Sequence, residues 1–218
     1  MVLIGNMMKK NEYILGLDIS TQTIGVSLLE LDSKKLILLT HVSPKIKDEG
    51  LSQIETLIKK SVIFENEFLK KYVNSGITKV VIEEPLIGSN NIRTVAVLIR
   101  FNTLISKIIH ETLGIVPEYI SSYDSRKYAF PELMAIRTTD KDGKILSERE
   151  LSKKKPVLFG AYPKNVDKKL IIWGKVADLY PEVIWLYNKK QELVKESFDL
   201  SDAVTCVVGF CKQNHIWK

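Results

Sequence analysis

The sequence predicts an α/β protein with a mixed five-stranded sheet, an antiparallel meander plus parallel strands, flanked by helices. Three observations carry this. The chain opens with three short apolar runs joined by tight polar turns. Two more apolar runs then alternate with segments of helical spacing. The chain closes on helical patterns alone. Its 218 residues suffice for one domain with a sizeable core. The expectation is a single domain over 1–218 with an insertion at about 131–156.

Tyr13–Ser20 (YILGLDIS) is an apolar run with one acid in it, the pattern of a buried central strand. After the polar turn Thr21–Thr23, Ile24–Leu31 reads as a second strand and Leu36–Val42 as a third. Strands joined this closely form an antiparallel meander. Leu51, Ile54, Leu57, Ile58, Phe68, Leu69 and Tyr72 give helical spacing over Leu51–Val73, ended by Asn74-Ser75-Gly76. Lys79–Glu84 (KVVIEE) is a fourth strand, stopped by Pro85. A loop over Leu86–Asn91 leads into a long helix, Ile92–Leu113, with Gly114 as its cap. Ile115–Ile120 is the fifth strand.

Beyond it, Ser125–Phe130 reads as a short helix. Pro131–Pro156 is polar, with a turn signal at Asp140-Lys141-Asp142-Gly143 and the run Lys153-Lys154-Lys155, and reads as an insertion containing a hairpin. Asn165–Tyr180 and Asp199–Lys212 are the closing helices. The β-α-β-α-β part supplies parallel strands with helical crossovers, and the meander supplies the antiparallel edge. That order is the layout of the RNase H-like fold.

Composition narrows the function classes. Hydrophobic residues make up 45% and charged residues 27%, which suits a globular chain. No apolar run approaches the roughly 20 residues of a membrane span. Residues 1–11 read as a short leader before the first strand. Lys9 and Lys10 follow its apolar stretch, the reverse of an export signal, so a cytoplasmic protein is expected. Cys206 and Cys211 lie in one apolar segment and read as core cysteines, not as a disulfide or metal site. A net charge of +6 suits a polyanionic partner without requiring one.

The acids carry the chemistry. Asp18 lies inside an apolar strand, where an unpaired carboxylate costs several kcal/mol unless paired, metal-bound or neutralised. Glu83 and Glu84 end VVIEE, and alternation puts them on opposite faces of the sheet. Glu83 is preferred as the partner of Asp18 because it follows the apolar run directly. Asp199 and Asp202, three residues apart on a helix, share a face. Each acid has an ordinary explanation by itself: a hydrogen-bonded strand-end Asp, a solvated Glu, or first-turn acids serving the helix dipole behind a Ser197 cap. Together they converge at one end of the sheet. Carboxylates that close repel, which implies bound cations, and an all-oxygen set suits Mg²⁺ or Mn²⁺. Two such ions roughly 3.5–4 Å apart activate a water and stabilise the leaving oxygen in phosphodiester hydrolysis.

These same residues resemble RuvC-type Holliday junction resolvases, and among them phage-borne members. Gly16-Leu17-Asp18-Ile19-Ser20 followed by Gly25-Val26 resembles the family's first strand and turn. Val81-Ile82-Glu83-Glu84 resembles its second acidic strand, and Asp199-Leu200-Ser201-Asp202-Ala203 its C-terminal D-x-x-D-A helix start. The order runs through residues 13–210. The resemblance implies catalytic and metal-binding roles for Asp18, Glu83, Asp199 and Asp202. It also implies Mg²⁺ or Mn²⁺, two ions per site, and a homodimer nicking opposed strands of a four-way DNA junction, with no organic cofactor. The chain departs from the pattern in three places. Leu86 and Ile87 stand where bacterial members place an aromatic, the 131–156 segment is longer, and Asp199 stands where some members have His.

DNA contacts are expected from Arg93 and Arg100 on the long helix, extended by Lys107, and from Arg126, Lys127, Lys153, Lys154, Lys155 and Lys164, with Lys168 and Lys169 nearby. Asn90, Asn91 and Tyr123 are weaker candidates. Phosphate contacts of this kind supply affinity without sequence information. Rival readings are a nuclease of the same fold acting on flaps or RNA–DNA hybrids, a non-catalytic DNA-binding module, and an actin-like ATPase. The last is disfavoured by chain length and by Ile19-Ser20, which replace the glycine of its phosphate turn.

Overall fold

The computed structural model describes residues 11–47, 50–85 and 91–217. The leader read at 1–11 and the loop read at Leu86–Asn91 therefore lie almost wholly outside the described residues. Five strands form the main sheet: β1 (Tyr13–Ile19), β2 (Ile24–Glu30), β3 (Leu36–Val42), β4 (Ile77–Glu84) and β5 (Glu118–Ser121), in the order β3-β2-β1-β4-β5. The meander β1–β2–β3 is antiparallel, and β4 is parallel to both β1 and β5. This is the mixed sheet that the sequence predicts.

The helices are α1 (Gln53–Glu67), α2 (Ile92–Leu113), α3 (Ser122–Ala129), α4 (Glu148–Leu151), α5 (Lys168–Leu179) and α6 (Lys195–Gln213). A capping box of Ser52 and Glu55 starts α1, satisfying orphan amides at both ends of the pair. The single helix expected over Leu51–Val73 is instead α1 plus a 3-10 turn, Leu69–Tyr72, because Phe68 leaves helical geometry (φ −125°). Asn91 caps the start of α2, and Gly114, left-handed at φ 73°, ends it. Asp167 accepts a hydrogen bond from the Leu170 amide, so α5 starts at Lys168 and not at Asn165. No helix of the described residues is long and apolar enough to cross a membrane.

Alternation along the strands builds two cores. Leu15, Leu17, Val26, Leu28, Val80 and Ile82 face α1 and α2. Ile14, Leu29, Val81 and Ile120 face the other way, onto residues of α3, α5 and α6. α6 is the most buried helix, with Leu200, Ala203, Val204, Cys206, Val207, Val208, Phe210 and Cys211 all inside. Both cysteines are buried and free, as expected of core thiols.

Residues 131–161 form an arm beside α3. A two-stranded antiparallel sheet, β6 (Met134–Ala135) with β7 (Val157–Leu158), closes its base. The Asp140–Gly143 turn tips a small hairpin, held by Thr139 opposite Ile145 and by the Asp140 amide donating to the Lys144 carbonyl at 2.8 Å.

Candidate active site

Strand register places the first two acids. β1 and β4 pair in parallel with Leu17 opposite Ile82, so Asp18 and Glu83 follow as the next residues of adjacent strands. Asp18 shares the face of Ile14 and Gly16, and Glu83 that of Val81, which is the α6 face. Glu84 is exposed and falls on the α1–α2 face, so alternation selects Glu83 from the pair.

Close packing of α6 places the other two. Gly25 is the cross-strand partner of Asp18. A Cβ added at Gly25 would strike the carbonyl oxygen of Asp199, so only glycine lets the helix backbone lie this low over β2. On β1, Gly16 makes the same allowance beneath Ala203, whose carbonyl accepts a hydrogen bond from the Ser27 hydroxyl at 2.9 Å. Further along, the Cys206 thiol donates to Glu83 Oε2 at 3.8 Å. The helix thus crosses β2, β1 and β4 in turn, carrying Asp199 and Asp202 to the ends of the strands that hold Asp18 and Glu83.

The start of α6 corrects the sequence reading. The helix begins at Lys195 behind Val194, not at Asp199 behind a Ser197 cap. Ser197 is instead buried, accepting from the Leu186 amide (3.0 Å) and donating to the Leu186 carbonyl (2.8 Å). The two aspartates therefore lie beyond the first turn, where a helix dipole gives acids little. The dipole account of their presence loses its basis.

Electrostatics show four acids under mutual strain. Burial raises the Asp18 pKa well above its ordinary value, and the charges of Glu83, Asp202 and Asp199 raise it further. Burial and then Asp202 push Glu83 up to about 7, against lowering by Arg126, Cys206 and Lys169. Burial also raises Asp202 and Asp199. Asp199 is buried, and its Oδ2 has no hydrogen-bond partner. Among the described residues none of the four carboxylates forms an ion pair. Arg126 on α3, Lys169 on α5 and Lys195 on α6 offset the cluster without forming ion pairs with it. Cys206 is a contact that sequence reasoning missed. Its apolar neighbours mark it as core, and nothing local signals a carboxylate opposite.

The donor set is all oxygen, under-satisfied and negatively charged, which is what a hard divalent cation takes. Among the described residues no three Asp, Glu, His or Cys side chains stand close enough to clasp one ion as they are. Repulsion among like charges opposes closer approach.

The expected DNA-contacting cations divide into groups. Arg126, half-buried, faces Glu83 and Asp202. Lys127, Lys154 and Lys155 line one groove with Tyr123, and Lys153 and Lys164 are exposed nearby in sequence. Arg93 and Arg100 are exposed on α2, across the sheet from the acids, and Arg100 donates to Gln53 Oε1 at 3.2 Å. Lys107 pairs with Glu111 at 2.6 Å on the exposed surface of the same helix. Asn91 caps α2, and Asn90 lies outside the described residues.

No protein-family model matches this chain, and no curated protein does. Solved structures do. A Thermus thermophilus RuvC in complex with Holliday junction substrate matches with TM-score 0.52 at 10% identity, over 94% of this chain and 95% of that one. The fold is RNase H-like. A second Thermus thermophilus RuvC structure matches with TM-score 0.47 at 10% identity, over 93% and 96% of the two chains. An Aquifex aeolicus Ppx/GppA family member follows with TM-score 0.37 at 13% identity, over 94% and 90%.

Proposed function

We infer that the chain is a divalent-metal-dependent endonuclease that cuts branched DNA, with four-way junctions as its substrate and two chains acting together. One observation carries the reading. Asp18, Glu83, Asp199 and Asp202 reach one face and one end of the sheet from three separate elements, and among the described residues no cation forms an ion pair with them. A fold that needed only stability would not keep four buried or half-buried, mutually repelling carboxylates, since replacing them with neutral side chains relieves the strain.

In this reading the four acids hold Mg²⁺ or Mn²⁺. Bound there, the ions supply a water of lowered pKa and neutralise charge on the phosphate. Asp18 and Glu83 are fixed by strand register, and Asp199 and Asp202 by the glycine-lined crossing of α6. Cys206 steadies Glu83 through its thiol. Arg126 and Lys169, two cations that already feel the acids, meet the scissile phosphate and its neighbours. Lys127, Lys153, Lys154, Lys155 and Lys164 extend the positive track on the same side. Paired nicks in opposed strands require two such centres, and the described residues provide one, hence the dimer.

The test is cleavage of labelled four-way junction, flap, linear duplex and RNA–DNA hybrid by wild type and Asp18→Asn, with Mg²⁺, Mn²⁺ or EDTA. The expected result is symmetric paired nicks in the junction, lost in EDTA and in the variant. Preferential cutting of flap or hybrid would replace the substrate and keep the chemistry. Tight junction binding with no cutting under any condition would mark a DNA-binding module.

A further inference from the structure

A second feature lies on the α6 side of the sheet and shares only Arg126 with the proposed metal chemistry. A cavity of about 270 Å³ sits between α3, the arm closed by β6–β7, and the start of α5. Three cations line it (Arg126, Arg137 and Lys168), with Tyr123 and Tyr162, over an apolar wall that includes Leu158; among the described residues no carboxylate lines it. At this size it is a little below the range of ordinary small-molecule clefts, roughly 300–1,000 Å³, so it admits one small group and excludes a duplex.

Two details point to an anionic occupant, and the tyrosines beside them offer ring surface to a base. The Arg137 guanidinium stacks 3.8 Å from the centroid of the Tyr162 ring, and its Nη2 donates to the Ala161 carbonyl at 2.7 Å. Its Nε is buried with no hydrogen-bond partner, an arrangement that native interiors rarely leave uncompensated. Among the described residues Arg126, Arg137 and Lys168 form no ion pair, so the cavity gathers three cations with no carboxylate bound directly to them. Arg126 also acts on Glu83 and Asp202, so the cavity adjoins the acid cluster.

We propose that this cavity receives one nucleotide of the cut strand, displaced from its stack, with its phosphate on Arg126, Arg137 and Lys168 and its base against Tyr123 and Tyr162. Extruding a nucleotide costs unstacking energy, and the cost is least where pairing is already disturbed. A branch point supplies such a nucleotide beside the scissile phosphate. The cavity is then a means of choosing where a distorted strand is cut. The choice of a DNA strand as the source of the nucleotide rests on the nuclease reading; binding of the nucleotide itself does not.

The experiment is calorimetric titration of the full chain, in divalent-free buffer, with a deoxynucleoside monophosphate, inorganic phosphate and the deoxynucleoside as separate probes. The monophosphate is expected to bind roughly 10-fold tighter than either fragment, the scale of one base stack or one good phosphate contact. Arg137→Met and Tyr123→Ala are each expected to weaken it about as much, while Tyr123→Phe, which keeps the ring, retains it. Circular dichroism checks that each variant is folded. Monophosphate binding no tighter than phosphate alone, or unchanged in both weakening variants, overturns the proposal. In a parallel cleavage assay, Arg137→Met is expected to flatten cut-site preference on branched DNA. Nucleotide binding in a protein that cuts no DNA would leave the cavity standing and remove the nuclease reading. Normal cutting with no nucleotide binding would do the opposite.

Discussion

Asp18 shows how a single residue can stand against its surroundings. It ends an apolar strand, its neighbours across the sheet are Gly25 and the strand of Glu83, and burial holds its carboxyl well above the usual range. Replacing it with Asn removes one charge and almost no volume. Cleavage is expected to fall by more than about 100-fold, beyond the loss typical of residues that merely support metal ligands. In divalent-free buffer the same variant is expected to melt higher than wild type, because a repelling buried charge has gone. A variant that melts lower would mean that Asp18 has a structural partner. Glu83 makes a pH prediction. Its carboxyl is raised from 4.5 to about 7, so the folded state binds its proton more tightly than the unfolded state. That stabilisation is complete below the unfolded value and is lost as pH rises through about 7. Thermal melts in EDTA should therefore fall between pH 5 and pH 8. Glu83→Gln should flatten the fall, and Mg²⁺ at pH 8 should reverse it by binding only the folded chain. Asp18 and Glu83 were legible because an acid in an apolar strand contradicts its surroundings. Cys206 was not legible, because a thiol in an apolar helix contradicts nothing.

At the scale of elements, the site depends on how low α6 lies across the meander. Gly25→Ala tests this, since the new Cβ would meet the Asp199 backbone, which has no rotamer with which to move aside. Overpacking of this kind costs about 1–3 kcal/mol. Denaturant titration should show the loss, and divalent-ion affinity should fall with it as Asp199 is pushed outward. Stability unchanged with affinity unchanged would mean that the helix does not set the site. The sheet order was readable from apolar runs and turn lengths. The start of α6 was misread because Ser197 and Asp199 look like an N-cap and a first-turn acid. Ser197 spends its hydroxyl on Leu186, eleven residues back, a partner that only the folded chain brings near. The 3-10 turn after Phe68 was likewise hidden, since helical spacing continues through it.

The whole molecule sorts its charge. Acids gather at one end of one face, and the groove formed by Lys127, Lys154 and Lys155 with Tyr123 lies on the α3 side of the sheet. Replacing Lys154 and Lys155 together with Gln is expected to weaken DNA binding alike on all branched substrates. The slope of log affinity against log salt should fall by about 1 per lost phosphate contact. An unchanged slope would place the DNA elsewhere. The lysine run was visible in the sequence, but the cavity beside it was not. Arg126, Arg137, Tyr162 and Lys168 are scattered over some forty residues and meet only because β6 and β7 close the arm against α3. The measurement that bears most directly on the whole account is titration of the protein with Mn²⁺, followed by electron paramagnetic resonance, for wild type and Asp18→Asn. Saturable binding at one or two ions per chain in the wild type, displaced by Mg²⁺ and lost in the variant, is the predicted result. Equal binding by both proteins, or none by either, would contradict the assignment of the four carboxylates to a metal centre.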